Sequence, residues 1–416
     1  MKKMILPLLL LPLALSGCQK EEEIEFTPVS VPASENTDAA DATEEATTEP
    51  VTEAATEEAD SISPKVERKL RNMNLHEKVC QLFIAAPEKT TYYYDSLTYV
   101  DDWYKKCYEE YPIGGFIYFE ANISYDQQLR DLLSKSQEMA ADCNNGIGLF
   151  QTVDEEGGAV TRVQKMLWKT PVENMSHYGK LNDYSATYEA GRTIGGYLFD
   201  YGFNVNFAPV ADVNVSETNE LGNRIFSSDP LVVSDMCTAM IKGLKSQKIE
   251  ATLKHFPGLG AGTGNTHNET VEIDRTYDEL IITEFPAFKG GIEAGADFVM
   301  VGHQIMSAAG DKLPSDLSPV VVNDWLRENL NFEGIIVTDS QSMGAISNNY
   351  TSDEAAIMSI KAGVDMILMP VDLRVAVDGV KAAVESGEIT EERINESVIR
   401  ILEKKKDMGL LDYTNP

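Results

Sequence analysis

Eight short apolar runs recur along the chain, and longer amphipathic stretches separate most of them. The runs cover residues 80–85, 115–119, 148–153, 204–210, 252–256, 298–301, 334–338 and 366–369. They are four to seven residues long and close to continuously apolar, the pattern of a strand covered on both faces. The stretches between them carry helical spacing. Leu129, Leu132 and Leu133, for example, put one apolar stripe on a helix over 126–141. Further helices are predicted over 185–201, 234–247, 283–294, 323–330, 352–362, 374–386 and 391–408. Buried strands alternating with helices imply a parallel sheet, and eight of them predict an α/β fold of the TIM type, a (β/α)8 barrel forming a single catalytic domain. An open doubly wound sheet is the competitor. No G-x-G-x-x-G follows an early strand, which weakens its dinucleotide-binding version.

The pattern starts only after residue 63. Before it, Met1-Lys2-Lys3 leads into a short apolar run broken by Pro7 and Pro12, then Leu15-Ser16-Gly17-Cys18. This reads as a secretory signal over 1–17, too short for a comfortable membrane span. A Cys directly after Leu-Ser-Gly resembles the bacterial lipoprotein lipobox, which implies cleavage before Cys18, lipidation of Cys18 and an extracytoplasmic, lipid-anchored protein. Residues 18–62 then form an acidic tether: between Glu21 and Asp60 there are 14 acidic side chains and no basic one. With little to bury, such a segment is expected to stay disordered. The barrel domain is assigned to 63–416.

The formal charge is −32, and the part outside the tether is also acidic. Phosphate neutralisation is therefore not available, and nucleic-acid partners are excluded. The membrane is expected to be met only through the N-terminal lipid. Cys80, Cys107, Cys143 and Cys237 show no C-x-x-C or metal spacing and read as small buried thiols. His255, His267 and His303 are too dispersed for a zinc signature. No metal and no organic cofactor is expected, and a monomer is.

Polar residues interrupt or end the apolar runs at corresponding places. Asp154 follows the third run and Asp212 the fourth; Lys254 and His255 sit at the end of the fifth, His303 of the sixth and Asp339 of the seventh. In a parallel barrel all strand C-termini open onto one face, where catalytic groups gather. The densest stretch is Lys254-His255-Phe256-Pro257-Gly258, from which a glycine-rich loop reaches His267. A cation and an imidazole at a strand mouth, with a second imidazole on a loop, suit a site that grips a polar ligand and moves a proton.

The motifs in order are Asp154-Glu155-Glu156-Gly157-Gly158-x-Val160-x-Arg162, the run Gly202 to Val213, Arg224-x-Phe226-x-Ser228-Asp229-Pro230, Lys254 to Gly258, Thr338-Asp339-Ser340-x-Ser342-Met343-Gly344-Ala345 and Ala362-Gly363-Val364-Asp365-Met366. From about residue 65 onward the chain resembles glycoside hydrolase family 3, in its β-N-acetylhexosaminidase branch. The resemblance implies a retaining exo-glycosidase acting on a β-linked amino-sugar glycan. It makes Asp339 the nucleophile and His267 the acid/base, in place of the second carboxylic acid usual in glycoside cleavage. It makes Asp154, Arg162, Arg224, Lys254 and His255 sugar-binding residues. Either Glu155 or Glu156 is expected to pair with Arg162.

The family loop usually places Asp two residues before the histidine, where this chain has Asn265. Asn265 is expected to accept a hydrogen bond without adding charge, leaving His267 a slower acid. Three further readings stay open: a sugar-binding lipoprotein that barely cleaves, a β-glucosidase, and a phosphorylase. The chain stops soon after the barrel, with no second domain expected to supply a glutamate acid, which weighs against the β-glucosidase.

Overall fold

The computed structural model describes residues 62–413 apart from residue 92. The signal-like segment, Cys18 and all but the last residue of the acidic stretch lie outside the described residues. The described chain closes eight parallel strands into a barrel: β1 Phe83–Ala85, β2 Gly115–Ile117, β3 Phe150–Val153, β4 Val205–Asn206, β5 Glu250–Phe256, β6 Phe298–Val301, β7 Ile335–Ser340 and β8 Met366–Leu368. Each strand pairs with its neighbours in sequence and β8 returns to β1, so the (β/α)8 expectation holds. Each of the eight apolar runs overlaps one strand of the barrel.

β1 and β4 are cut shortest relative to their runs, each for a local reason. The first run loses its start to the helix Leu75–Gln81, whose N-terminus is closed by a reciprocal capping box between Asn74 and Glu77. In the fourth run Pro209 has no N–H for a ladder. The chain there stays attached to β5 through carbonyls, with Thr252 and Lys254 donating their N–H groups to Ala208 and Pro209 at 2.9 and 3.3 Å. The helices predicted at 126–141, 185–201, 234–247, 352–362, 374–386 and 391–408 are present with ends shifted by four residues at most. The helix expected over 283–294 is Phe285–Glu293, and a separate capped turn of helix, Tyr277–Ile282, precedes it. A small parallel pair, Glu272–Ile273 with Ile305–Met306, ties the long loop after β5 to the loop after β6. No periodic pattern announces elements of two residues.

The barrel interior is packed, not hollow. Phe150 and Phe298 meet edge to face at 5.3 Å near its base. The final helix, Glu391–Asp407, inserts Lys405 beneath them. That side chain is fully buried, 5.0 Å above the Phe150 ring, and donates to Gln81 Oε1 and the Gly114 carbonyl, both at 2.8 Å. Burial pushes the ammonium pKa well down. Cys80 and Cys237 are buried as expected, whereas Cys107 and Cys143 are only half-buried; all four are unpaired. Among the described residues no helix is long and apolar enough to cross a membrane, and no cluster of His, Cys, Asp and Glu is arranged to hold a metal ion.

Candidate active site

The C-terminal ends of the strands surround a pocket of about 330 Å³. Its lining includes Asp154, Arg162, Arg224, Lys254, His255, His267 and Asp339. These seven residues are spread over 186 positions of sequence, and the barrel brings them to one mouth. Asn265, the eighth, is not part of the wall. A larger open groove of about 840 Å³ lies at the opposite end of the barrel. The charged groups there satisfy one another, as where Lys245 meets Glu250 at 3.0 Å and also binds Asp297.

Buried opposite charges form one wall. Lys254, at the end of β5, places Nζ 2.8 Å from Asp154 Oδ1 and 2.7 Å from Glu156 Oε1. Arg224 grips the same Glu156 with two parallel bonds, Nε to Oε2 at 2.9 Å and Nη2 to Oε1 at 2.8 Å, the fork geometry a guanidinium favours. Burial pushes the Glu156 pKa up, but Lys254 and Arg224 outweigh it and hold the carboxyl down at about 2. Burial likewise opposes charge on Lys254, and Asp154 and Glu156 keep its pKa raised.

The pairing expected between Arg162 and Glu155 or Glu156 is not the one formed. Arg162 Nη1 bonds Glu120 Oε1 at 3.1 Å. Glu155 instead accepts the backbone N–H groups of Arg162, Val163 and Gln164 at 2.7 to 2.9 Å and the Tyr197 hydroxyl at 2.9 Å. A carboxylate at the start of the short helix Val163–Leu167 satisfies donors that the helix leaves open. Glu155 therefore shapes the loop that presents Arg162.

The second wall centres on Asp339 at the end of β7. Its Oδ1 accepts the Ser340 N–H at 2.7 Å, and its side chain is half-buried in the pocket. Burial would raise its pKa; the His255 and His303 imidazoles, the Ser340 N–H and Lys254 outweigh that and lower it. His255 is oriented by buried Asp212, which meets its Nδ1 at 2.8 Å and its backbone N–H at 3.0 Å. His303 was legible only as the polar end of the sixth apolar run, without a role. The structure buries it behind Asp339, with Nδ1 3.0 Å from Asp316 Oδ1 and Nε2 2.9 Å from the Ser340 carbonyl. Burial disfavours its charge, but Asp316 and, more weakly, Asp339 raise its pKa to about 9. An imidazolium thus stands behind a carboxylate that faces the pocket.

His267 is exposed at the pocket edge on the loop after β5. Asn265 Oδ1 accepts the backbone N–H of His267 at 2.9 Å, and the Asn265 carbonyl accepts the N–H groups of Asn268 and Glu269. The Asn265 side chain therefore closes a turn on the His267 backbone. On its far side the loop docks onto the segment after Asp339: the His267 and Thr266 carbonyls accept the N–H groups of Gly344 and Ala345 at 2.9 and 3.2 Å. Gly344 permits this close docking, because a Cβ would stand 2.5 Å from the Asn268 carbonyl oxygen.

The barrel brings these charged side chains to one mouth, and comparison with known proteins identifies the family. Residues 74–404 match the Glycosyl hydrolase family 3 N terminal domain. The chain belongs to glycosyl hydrolase family 3. It is 30% identical over 320 residues to "Beta-hexosaminidase A" of Pseudoalteromonas piscicida, covering 71% of this chain and 53% of that protein. It thus spans about half of that relative's length. Among solved structures it resembles a family 3 β-N-acetylglucosaminidase from Paenibacillus sp. str. FPU-7, with 34% identity and a TM-score of 0.76, covering 81% of this chain and 63% of the other. A β-N-acetylhexosaminidase from Beutenbergia cavernae DSM 12333 aligns at 25% identity and a TM-score of 0.72, over 80% of this chain and 99% of that one.

Proposed function

We propose that this protein is a retaining exo-glycosidase that removes terminal β-linked N-acetylhexosamine, N-acetylglucosamine foremost, from glycans such as peptidoglycan fragments. The observation that carries the proposal is Asp339. It is a carboxylate whose ionised form is favoured by its neighbours; it accepts the Ser340 N–H and lines a sugar-sized pocket. In the proposed reaction Asp339 attacks the anomeric carbon while protonated His267 gives its proton to the departing oxygen. The C1–O bond to the aglycone breaks and a glycosyl ester of Asp339 remains. Water then attacks the same carbon, His267 takes its proton, and the Asp339 carboxylate leaves with net retention. Asp154, Arg162, Arg224, Lys254 and His255 supply hydrogen bonds to hydroxyls and the acetamido group. The pairs that hold them are already formed, so little reorganisation accompanies binding.

The test is hydrolysis of a chromogenic β-N-acetylglucosaminide by the chain from residue 63 onward, beside Asp339→Ala. Activity that vanishes in the variant supports the reading. Activity that survives the substitution, or turnover of the β-glucoside alone, overturns it. A second reading, a sugar-binding protein with little chemistry, draws on the Asn265 amide being engaged with backbone and not with the His267 ring. Saturable sugar binding without turnover would favour it. We also propose the anchored location: Cys18 carries lipid, and the acidic stretch holds the barrel, as a monomer, away from a bacterial membrane. Loss of membrane fractionation in Cys18→Ala checks that proposal.

A further inference from the structure

We infer that Glu220 is a positioning residue for the acid/base loop, a carboxylate latch that sets where His267 stands over the pocket; the inference rests on the glycosidase reading above. Glu220 lies in the loop after β4, lines the same pocket, and comes from a point 46 residues before its partner. One of its oxygens, Oε1, accepts both the backbone N–H and the hydroxyl of Thr266, at 3.0 and 2.8 Å. Thr266 is buried, 2% exposed, and immediately precedes His267. Two donors on one ionised oxygen make charge-assisted bonds, stronger than neutral ones.

The anchor is itself held. Asn219 accepts the N–H groups of Leu221 and Gly222 on Oδ1, both at 3.0 Å, and donates to Asn214 Oδ1 at 2.6 Å. Lower down, the two loops are zipped together where the Ser216 N–H meets the Gly260 carbonyl at 2.9 Å. A Cβ on Gly260 would lie 1.9 Å from the Val213 carbonyl oxygen, so the glycine serves close contact between the loops. At the loop's tip the β4 side holds on through Glu220, and the nucleophile's side through the Gly344 and Ala345 N–H groups. Asn265 is committed to the His267 backbone. The place of the loop, and not a loop carboxylate on the ring, is what brings the imidazole to the leaving oxygen.

Glu220→Gln keeps an acceptor for Thr266 and removes the charge; Glu220→Ala removes both. The experiment measures kcat/KM for two β-N-acetylglucosaminides, one with an activated nitrophenolate leaving group that departs without a proton and one with an alkyl group that needs it. Glu220→Ala is expected to lose about 10²-fold on the alkyl glycoside, the scale of a misplaced catalytic group, and only a few-fold on the activated one. Glu220→Gln should fall between parent and Ala. Glu220→Ala should add little to His267→Ala, since both act through one group. Equal losses on the two substrates, or losses that multiply with His267→Ala, overturn the inference. A parent inert on both substrates, or active without Asp339, overturns the glycosidase reading instead. The latch is then read by limited proteolysis of the 260–269 loop: several-fold faster cleavage in Glu220→Ala sustains it, and an unchanged rate removes it.

Discussion

The two ends of the barrel both hold buried charge, and they use it differently. At the N-terminal end Asp365 accepts four donors: the Ile336 N–H at 2.9 Å, Ser397 Oγ at 2.7 Å, Arg400 Nη1 at 3.1 Å and Arg327 Nη2. A carboxylate offers about four acceptor positions, and here all are taken. At the C-terminal end Asp339 accepts the Ser340 N–H and turns its remaining capacity toward a pocket that also holds Lys254 and His255. Burial and ionisation are shared by both ends and do not mark a site. Unused acceptor capacity facing an open, sugar-sized space does.

The sharpest way to test that contrast is to remove each carboxylate. Asp339→Asn should lower kcat for aminosugar hydrolysis on the order of 10³-fold or more and leave the urea midpoint within experimental scatter. Asp365→Ala should do the reverse. It takes the shared counter-charge from two partly buried guanidiniums, Arg327 and Arg400, so unfolding free energy should drop by about 3–5 kcal/mol, while kcat per folded molecule stays within about two-fold of the parent. A stable Asp365→Ala, or an unstable and still active Asp339→Asn, breaks the comparison.

Glu156 stands between the two cases, buried and saturated yet in the pocket wall. Glu156→Gln should cost about 2 kcal/mol of stability, because Lys254 and Arg224 lose a shared counter-charge. It should also raise KM as both cations shift toward Asp154. Denaturation and steady-state kinetics on the same preparation separate these effects.

His303 adds a pH signature. Its folded pKa of about 9 exceeds the ordinary 6.5, so between those values the folded chain binds a proton that the unfolded chain has released. The stability it contributes is complete below pH 6.5 and is lost as pH rises through about 9. His303→Asn should flatten that part of the stability–pH curve and lower kcat about ten-fold by removing positive charge behind Asp339. An unchanged slope between pH 6.5 and 9 would show that His303 is not charged there. The smallest effect is expected from Gly344→Ala. Its Cβ would meet the Asn268 carbonyl, so the His267 loop must yield by a fraction of an ångström. A loss of a few-fold in kcat/KM with a small drop in melting midpoint is the outcome to check.

The amino-acid sequence by itself determined the barrel. A strand covered on both faces must be apolar at consecutive positions, and that signature is local enough to read one run at a time. It also determined which side chains gather, since each of Asp154, Lys254, His255 and Asp339 ends or follows a run and all strand ends share one face. Only the tertiary structure decided how those groups pair. Glu156 reaches Arg224 across 68 residues and Arg162 reaches Glu120 across 42, while Glu155, between two candidate pairings, turns to backbone N–H groups. His303 found Asp316 and the Ser340 carbonyl, and Asn265 turned its amide to backbone, with no spacing to announce either. Strand pattern depends on neighbours along the chain, whereas the choice among several nearby carboxylates and donors depends on loop paths and distances of a few ångströms, which exist only once the barrel has closed.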